Sequence, residues 1–328
     1  GPRLALSETV ARLPTTDPLP GQTETLDPEA PWSPAVSVSA LLDLQRPDGS
    51  FGGHQGVDGF GIWDPAITTM AGDALLDWRP GLDEGLSARA EASLARIRSF
   101  LESWSRRPVN SKLGAFDHPY ALLHLCRIGA RDAAARVVAA IVASQEADSN
   151  WTIYQAERPA SFNTALNVLA LVAAREAGLE VPKAVIESGA RALEAMRTPQ
   201  GLFPYSTMAG HEWMTTPHGS IARDPLCELA LLRAGRDTAP RIANALERFL
   251  EFHAELRAPT KKLYDYFDAR GHGGYFYFFA LRHARDAARH VDPALRAKVD
   301  AAIRGELLSS REFDGTWIDH WAIGRAYG

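Results

Sequence analysis

The sequence predicts an all-α chain of six helical hairpins closed into a ring, preceded by an extended N-terminal arm. Three observations carry this. From Val36 onward, segments rich in Ala, Leu and Arg follow one another, with no run of alternating β-branched residues. The segments come in pairs joined by a polar turn, most often one bearing Gly. The pairs recur at roughly 35–70 residues, and hairpins of this kind bury their apolar faces only by stacking on one another. A period that varies so much favours a ring with loop insertions over an open solenoid.

Residues 1–33 are polar, with Pro, Thr and Asp concentrated from Pro14 to Pro31, and read as an arm or linker; the ring is expected over 34–328. The first hairpin is Ala35–Gln45, the turn Pro47-Asp48-Gly49-Ser50-Phe51-Gly52, then Asp64–Trp78. The second is Ser87–Ser105, Lys112-Leu113-Gly114-Ala115-Phe116, then Pro119–Ile128. In the third, Ser149-Asn150-Trp151 joins Ala133–Gln145 to Ser161–Ala177. In the fourth, Pro199-Gln200-Gly201-Leu202-Phe203 lies between Pro182–Met196 and Ile221–Ala234. The fifth pairs Pro240–Leu256 with Gly274–Arg289 across a loop through Tyr264-Asp265-Tyr266. The sixth is Pro293–Ser309, Phe313-Asp314-Gly315-Thr316-Trp317, then a helix from near Trp321 that is cut short. In the Asp-Gly turns Gly takes the positive φ, and the aromatic two residues on folds back over the pair.

The 328 residues hold 35 Lys and Arg against 40 Asp and Glu, a net charge of −5. Nucleic acid and anionic membranes call for a basic surface, so neither is an expected partner. Two cysteines, Cys126 and Cys227, make neither a disulfide scaffold nor a Cys-rich zinc module. No apolar run reaches the roughly 20 residues of a transmembrane segment. The start Gly1-Pro2, without Met, reads as a cleavage scar, so the native compartment is unknown from sequence, as is the oligomeric state.

Two segments, Leu44-Gln45-Arg46-Pro47-Asp48-Gly49-Ser50-Phe51-Gly52 and Glu312-Phe313-Asp314-Gly315-Thr316-Trp317, resemble the repeat of squalene cyclases and protein prenyltransferase β subunits. Gly273-Gly274-Tyr275-Phe276-Tyr277-Phe278-Phe279-Ala280, with Ile303-Arg304 and the last turn, resembles bacterial prenyltransferase/squalene oxidase repeat proteins. The resemblance spans residues 36–328 and implies an (α/α)6 toroid. Six parallel inner helices would stand inside an outer ring around a central cavity open at one end. Such a cavity would suit a bulky apolar, isoprenoid-like ligand. The repeat is a packing device, so it speaks to fold more than to chemistry.

In such a ring the inner helices start at one mouth. The starts read Trp63-Asp64, Asp117-His118, Phe162-Asn163, His218 with Arg223-Asp224, His272 with Tyr275, and Asp319-His320. Capping accounts for each Asp or Asn taken singly. Histidine is a poorer cap, so His118, His218, His272 and His320 at equivalent places suggest a shared site. Asp117, Asp224, His118, His218 and His272 are the catalytic candidates. Phe60, Trp63, Asp64, Tyr120, Asn163, Trp213, Tyr264, Tyr266, Tyr275, His320 and Trp321 are the candidate substrate contacts. Aromatic rings suit isoprenoid chains and carbocations. They suit sugar rings equally, and the run Tyr275 to Phe279 also reads as packing between rings.

The acidic Asp-x-Asp-Asp run of the alkene-protonating cyclases is absent; the nearest segment is Asp265-Tyr266-Phe267-Asp268. A Mg²⁺–diphosphate acid motif is also absent. The resemblance to protein prenyltransferases implies a zinc set, matched here by Asp224, Cys227 and His272, although the family's Asp-x-Cys is Asp-x-x-Cys in this chain. Asp224 and Cys227 at i and i+3 share a helix face. Against zinc, Cys227 reads as a small buried residue and Asp224 as a cap before Pro225, so no cofactor is favoured. No nucleotide loop, serine-hydrolase elbow or His-Glu-x-x-His occurs. The readings left open are a transferase or cyclase of the prenyltransferase type, a carbohydrate-active toroid using Asp117, Asp224 or Asp319 as acid and base, and a non-catalytic binding ring.

Overall fold

The computed structural model describes residues 33–52, 63–107, 114–152, 159–207, 214–236, 239–258, 260, 276–312, 315–319 and 325–326. The arm expected over 1–33 lies, but for its last residue, outside them. Among the described residues the elements are helices α1 (Pro34–Asp43), α2 (Asp64–Trp78), α3 (Glu84–Trp104), α4 (Gly114–Arg127), α5 (Arg131–Ala143), α6 (Ser161–Glu176), α7 (Lys183–Met196), α8 (Asp224–Arg233), α9 (Ala239–Phe252), α10 (Tyr277–Ala288) and α11 (Pro293–Ser310). Short helical turns stand at Arg79–Gly81, Pro217–Ser220 and His253–Arg257. No helix among them is long and apolar enough to cross a membrane.

The chain alternates between two rings. The even-numbered helices form the inner one, with α2 packed on α4, α4 on α6, α6 on α8 and α8 on α10. Burial separates the rings. Every residue from Ser161 to Val168 of α6 and from Asp224 to Leu231 of α8 is buried. Outer helix α7 buries only Ile186, Gly189, Ala190 and Leu193, the single stripe of a helix with one face in water. This is an α/α toroid.

One turn is built four times. The backbone N–H groups of Arg46, Glu146, Thr198 and Glu312 donate to the carbonyls of Ser50, Asn150, Leu202 and Thr316 at 2.8–2.9 Å. The residue before each of these acceptors has positive φ: Gly49 (+89°), Ser149 (+68°), Gly201 (+77°) and Gly315 (+80°). Two residues beyond it comes the aromatic, Phe51, Trp151, Phe203 or Trp317. The N–H groups of Phe51, Trp151 and Phe203 are each taken by a side chain of the following inner helix: Thr68 Oγ1, Thr164 Oγ1 and Asp224 Oδ1.

Each turn also docks on the outer helix of the next hairpin. A Cβ at Gly49 would lie 2.5 Å from the Arg96 carbonyl oxygen on α3, and one at Gly189 of α7 would lie 2.7 Å from the Trp151 ring. Gly201 accepts from Arg248 of α9. The last turn docks on α1, where Ser37 Oγ donates to the Gly315 carbonyl at 2.6 Å. The sixth hairpin meets the first as the first, third and fourth meet their successors, so the ring is closed.

Three inner helices start elsewhere than the sequence predicts, α10 at Tyr277 instead of Gly274. α4 begins at Gly114 and carries Pro119 within it, because a proline this close to the N-terminus forfeits only one helical bond. α8 begins at Asp224 instead of Ile221, since Thr216 caps a separate one-turn helix ahead of it. Asp224 is therefore the first helical residue and not the cap.

Candidate functional site

Two acids near the starts of inner helices, Asp117 and Asp319, cap the neighbouring helices and not their own. Asp117 of α4 accepts from the Ala66 N–H at the start of α2, and Asp319 accepts from the Tyr277 and Phe278 N–H groups at the start of α10. Hairpin n+1 thus caps hairpin n, which ties adjacent inner helices at their positive ends. Both carboxyls are buried, and burial pushes both well above the usual carboxylate range; Asp64 nearby raises Asp117 further. Asp64 is itself raised by burial, an effect its ion pair with Arg46 only partly offsets. Asp319 Oδ1 has no hydrogen-bond partner among the described residues.

Along the inner helices lies a linked set of rings. Trp63 at the head of α2 contacts Phe116, and Phe116 contacts Tyr120, both on α4. Tyr120 reaches His283 of α10, whose ring lies against Phe279. Phe162 of α6 meets Phe276, Phe279 and Tyr205 at centroid distances of 5.3–6.1 Å. Helix α10 does not neighbour α4 or α6 in the ring, so these contacts cross its interior.

A charged layer sits below the rings, further along the inner helices. Asp73 of α2 holds His124 Nδ1 of α4 at 2.8 Å and Arg282 of α10 at 3.0 Å. Those partners keep its carboxyl below the usual range despite burial. The guanidinium of Arg282 lies over the Tyr120 ring, and the Tyr120 hydroxyl stands 3.1 Å from His283 Nε2. Burial, then Arg282, lowers His283 to about 3, so it is neutral at physiological pH. Asp73, His124, Arg282 and His283 were not among the sequence candidates. Nothing local marks them out, since α10 also carries Arg285 and Asp286 and α2 also carries Asp77.

Of the sequence candidates, the structure brings Trp63, Asp64, Asp117 and Tyr120 together around α2 and α4. His118 turns away, its ring on Trp104 of α3. His218 pairs with Glu255 at 3.0 Å and lies on Phe252 at the end of α9. Asn163 is buried and donates to the Thr152 carbonyl. Phe60, Trp213, Tyr264, Tyr266, His272, Tyr275, His320 and Trp321 lie outside the described residues. Of the candidate zinc set, Asp224 and Cys227 stand on α8 and His272 lies outside the described residues. Asp224 is fully buried and already accepts from Phe203 N–H, Ser220 Oγ and Arg248, and burial holds the Cys227 thiol far above its normal range. Among the described residues no three His, Cys, Asp or Glu side chains are grouped as metal ligands.

No family model matches the chain, and no curated protein matches it in sequence. Solved structures do match in fold. The type II terpene cyclase MstE from Scytonema, in complex with geranylgeranyl dihydroxybenzoate, superposes with a TM-score of 0.52 at 17% identity, over 87% of this chain and 79% of that one. A protein from Actinoplanes gives 0.55 at 18% identity over 86% and 82%. The GH76A α-1,6-mannanase from Salegentibacter gives 0.57 at 13% identity over 89% and 93%. At these identities the likeness establishes the toroid fold and nothing finer.

Proposed function

We propose that the chain binds a bulky, apolar, isoprenoid-like ligand among the rings that cross the interior of the toroid. The observation that carries this reading is the continuous set of rings running from Trp63 through Phe116, Tyr120, His283 and Phe279 to Phe162, Phe276 and Tyr205. Such faces contact prenyl chains and attract positive charge that develops on them. The acids beside it are suited to giving protons. Burial pushes Asp117 and Asp319 well above the usual carboxylate range, towards the protonated form, and Asp319 Oδ1 has no partner among the described residues. The terpene cyclase neighbour handles a geranylgeranyl compound, which favours the same ligand class here. The mannanase neighbour is inactivated by replacing two adjacent aspartates, and this chain has no two consecutive Asp anywhere.

Calorimetry with a geranylgeranylated phenol and with an α-1,6-mannan oligosaccharide tests the reading. The prenylated compound is expected to bind, and Phe279→Ala to weaken it by about tenfold, the loss of one well-packed aromatic contact. Binding or cleavage of the oligosaccharide, with none of the prenylated compound, would overturn it.

A further inference from the structure

Two of the four repeated turns carry Gln four residues before the positive-φ position, and two carry Arg, Arg197 in hairpin four and Arg311 in hairpin six. In hairpins one and three the residue four before the positive-φ position is Gln45 or Gln145. Its amide spans to the next outer helix. Gln45 Nε2 donates to Ser93 O on α3, and Gln145 Nε2 donates to Val185 O and Ser188 Oγ on α7. The same amides satisfy the turn carbonyls of Gly49 and Ser149. The glutamine thus fills the seam between consecutive outer helices.

In hairpin four this residue is Arg197, and it does not span. It swings inward to Glu228 of α8 in a two-pronged pair, Nε to Oε1 at 2.8 Å and Nη2 to Oε2 at 2.6 Å. Glu228 stands four residues after Asp224. The matching positions after Thr68 and Thr164 are Gly72 and Val168, so the acid belongs to this hairpin and not to the repeat. Arg248 of α9 takes over the turn carbonyl of Gly201. The seam between α7 and α9 is left open as a cleft of about 360 Å³, lined by Arg197, Arg241, Arg248, Gln200, Asn244 and Glu194 among others.

The donors of this cleft are only partly used. Arg197 Nη1 has only Glu194, at 3.8 Å. Arg248 spends Nη2 on Gly201 and Asp224, while its buried Nε has no partner. Arg241 is exposed on α9 at the rim. Rigid guanidinium forks with spare N–H groups match the tetrahedral or planar oxygens of phosphate and carboxylate. With Arg197 turned inward, the seam keeps a polar cleft in which a small anion can meet these donors. We propose that the cleft between α7 and α9 is a binding site for a compact oxyanion of the phosphate class, separate from the interior of the ring.

The probe is inorganic phosphate, titrated calorimetrically into the full chain against sodium chloride of matched ionic strength, so that general screening cancels. Saturable binding to a single site is expected, with a phosphate-dependent rise in melting temperature. Arg241→Gln, on an exposed helix face, should leave the fold intact and weaken binding by about tenfold. Arg197→Gln combined with Glu228→Val restores the residues of hairpin three, closes the seam and should abolish binding. No phosphate effect beyond that of chloride, or binding unchanged in a folded Arg241→Gln variant, would overturn the proposal.

Discussion

Hairpins three and four solve the same packing problem with different chemistry. Each must hold its turn to the inner helix and to the next outer helix. Hairpin three does so with neutral groups, Thr164 under Trp151 and Gln145 across the seam. Hairpin four uses charges, Asp224 under Phe203 and Arg197 turned onto Glu228. Neutral clasps need only their hydrogen bonds. A buried ion pair must also offset the desolvation of both partners, and it repays this only while both are present. The charged version is thus the more brittle.

That contrast can be broken most sharply at Glu228. Glu228→Val leaves the Arg197 guanidinium buried without its partner, and the loss should be about 3–5 kcal/mol by urea unfolding. In hairpin three, Gln145→Ala should cost nearer 1 kcal/mol. Next come the turn glycines. Gly49→Ala forces a Cβ to 2.5 Å from backbone, whereas at Gly201 the nearest atom is the flexible end of Arg248, 4.0 Å away. Both suffer the strain of positive φ, about 1 kcal/mol. Gly49→Ala should cost about twice as much as Gly201→Ala, read as the difference in their urea midpoints.

A smaller effect concerns pH. The folded chain holds a proton on Asp319 that the unfolded chain releases above about pH 4. The favourable contribution of that carboxyl is complete below pH 4 and is lost as pH rises towards its folded value. Asp319→Asn keeps an acceptor for Tyr277 and Phe278 and should remove this decline, so the variant gains on the parent as pH rises above about 4. Asp73 has the opposite sign, its stabilisation being lost as pH falls. The smallest change is expected from Arg197→Gln with Glu228→Val. Exchanging a buried pair for the neutral residues of hairpin three should leave stability within about 1 kcal/mol of the parent.

The helices and their pairing were legible because they are written in local periodicity, and the Asp48-Gly49 and Asp314-Gly315 turns because positive φ favours Gly. Ser149 does the same work without a glycine, next to an Asp148 that braces the turn through Asn150 N–H. Its aromatic, Trp151, was the remaining clue. The site was much less legible. Asp73 and Arg282 are 209 residues apart, and no window of sequence relates them. Asp117 and Asp319 do cap helices, but those of the preceding hairpins, which the stacking of consecutive hairpins brings within reach.

The seal between Ser37 and Gly315 joins positions 278 residues apart, and it bears on how the molecule comes undone. A linear stack of hairpins frays from its two ends, whose amides exchange with solvent fastest. Closed on itself, the stack has no terminal repeat. Helix α1 is expected to exchange its amide hydrogens about as slowly as α7 on the far side, and the whole ring to melt in one transition. Replacing Val36 and Ser37 with glycines would open the seam, and α1 and α11 should then exchange ahead of the rest.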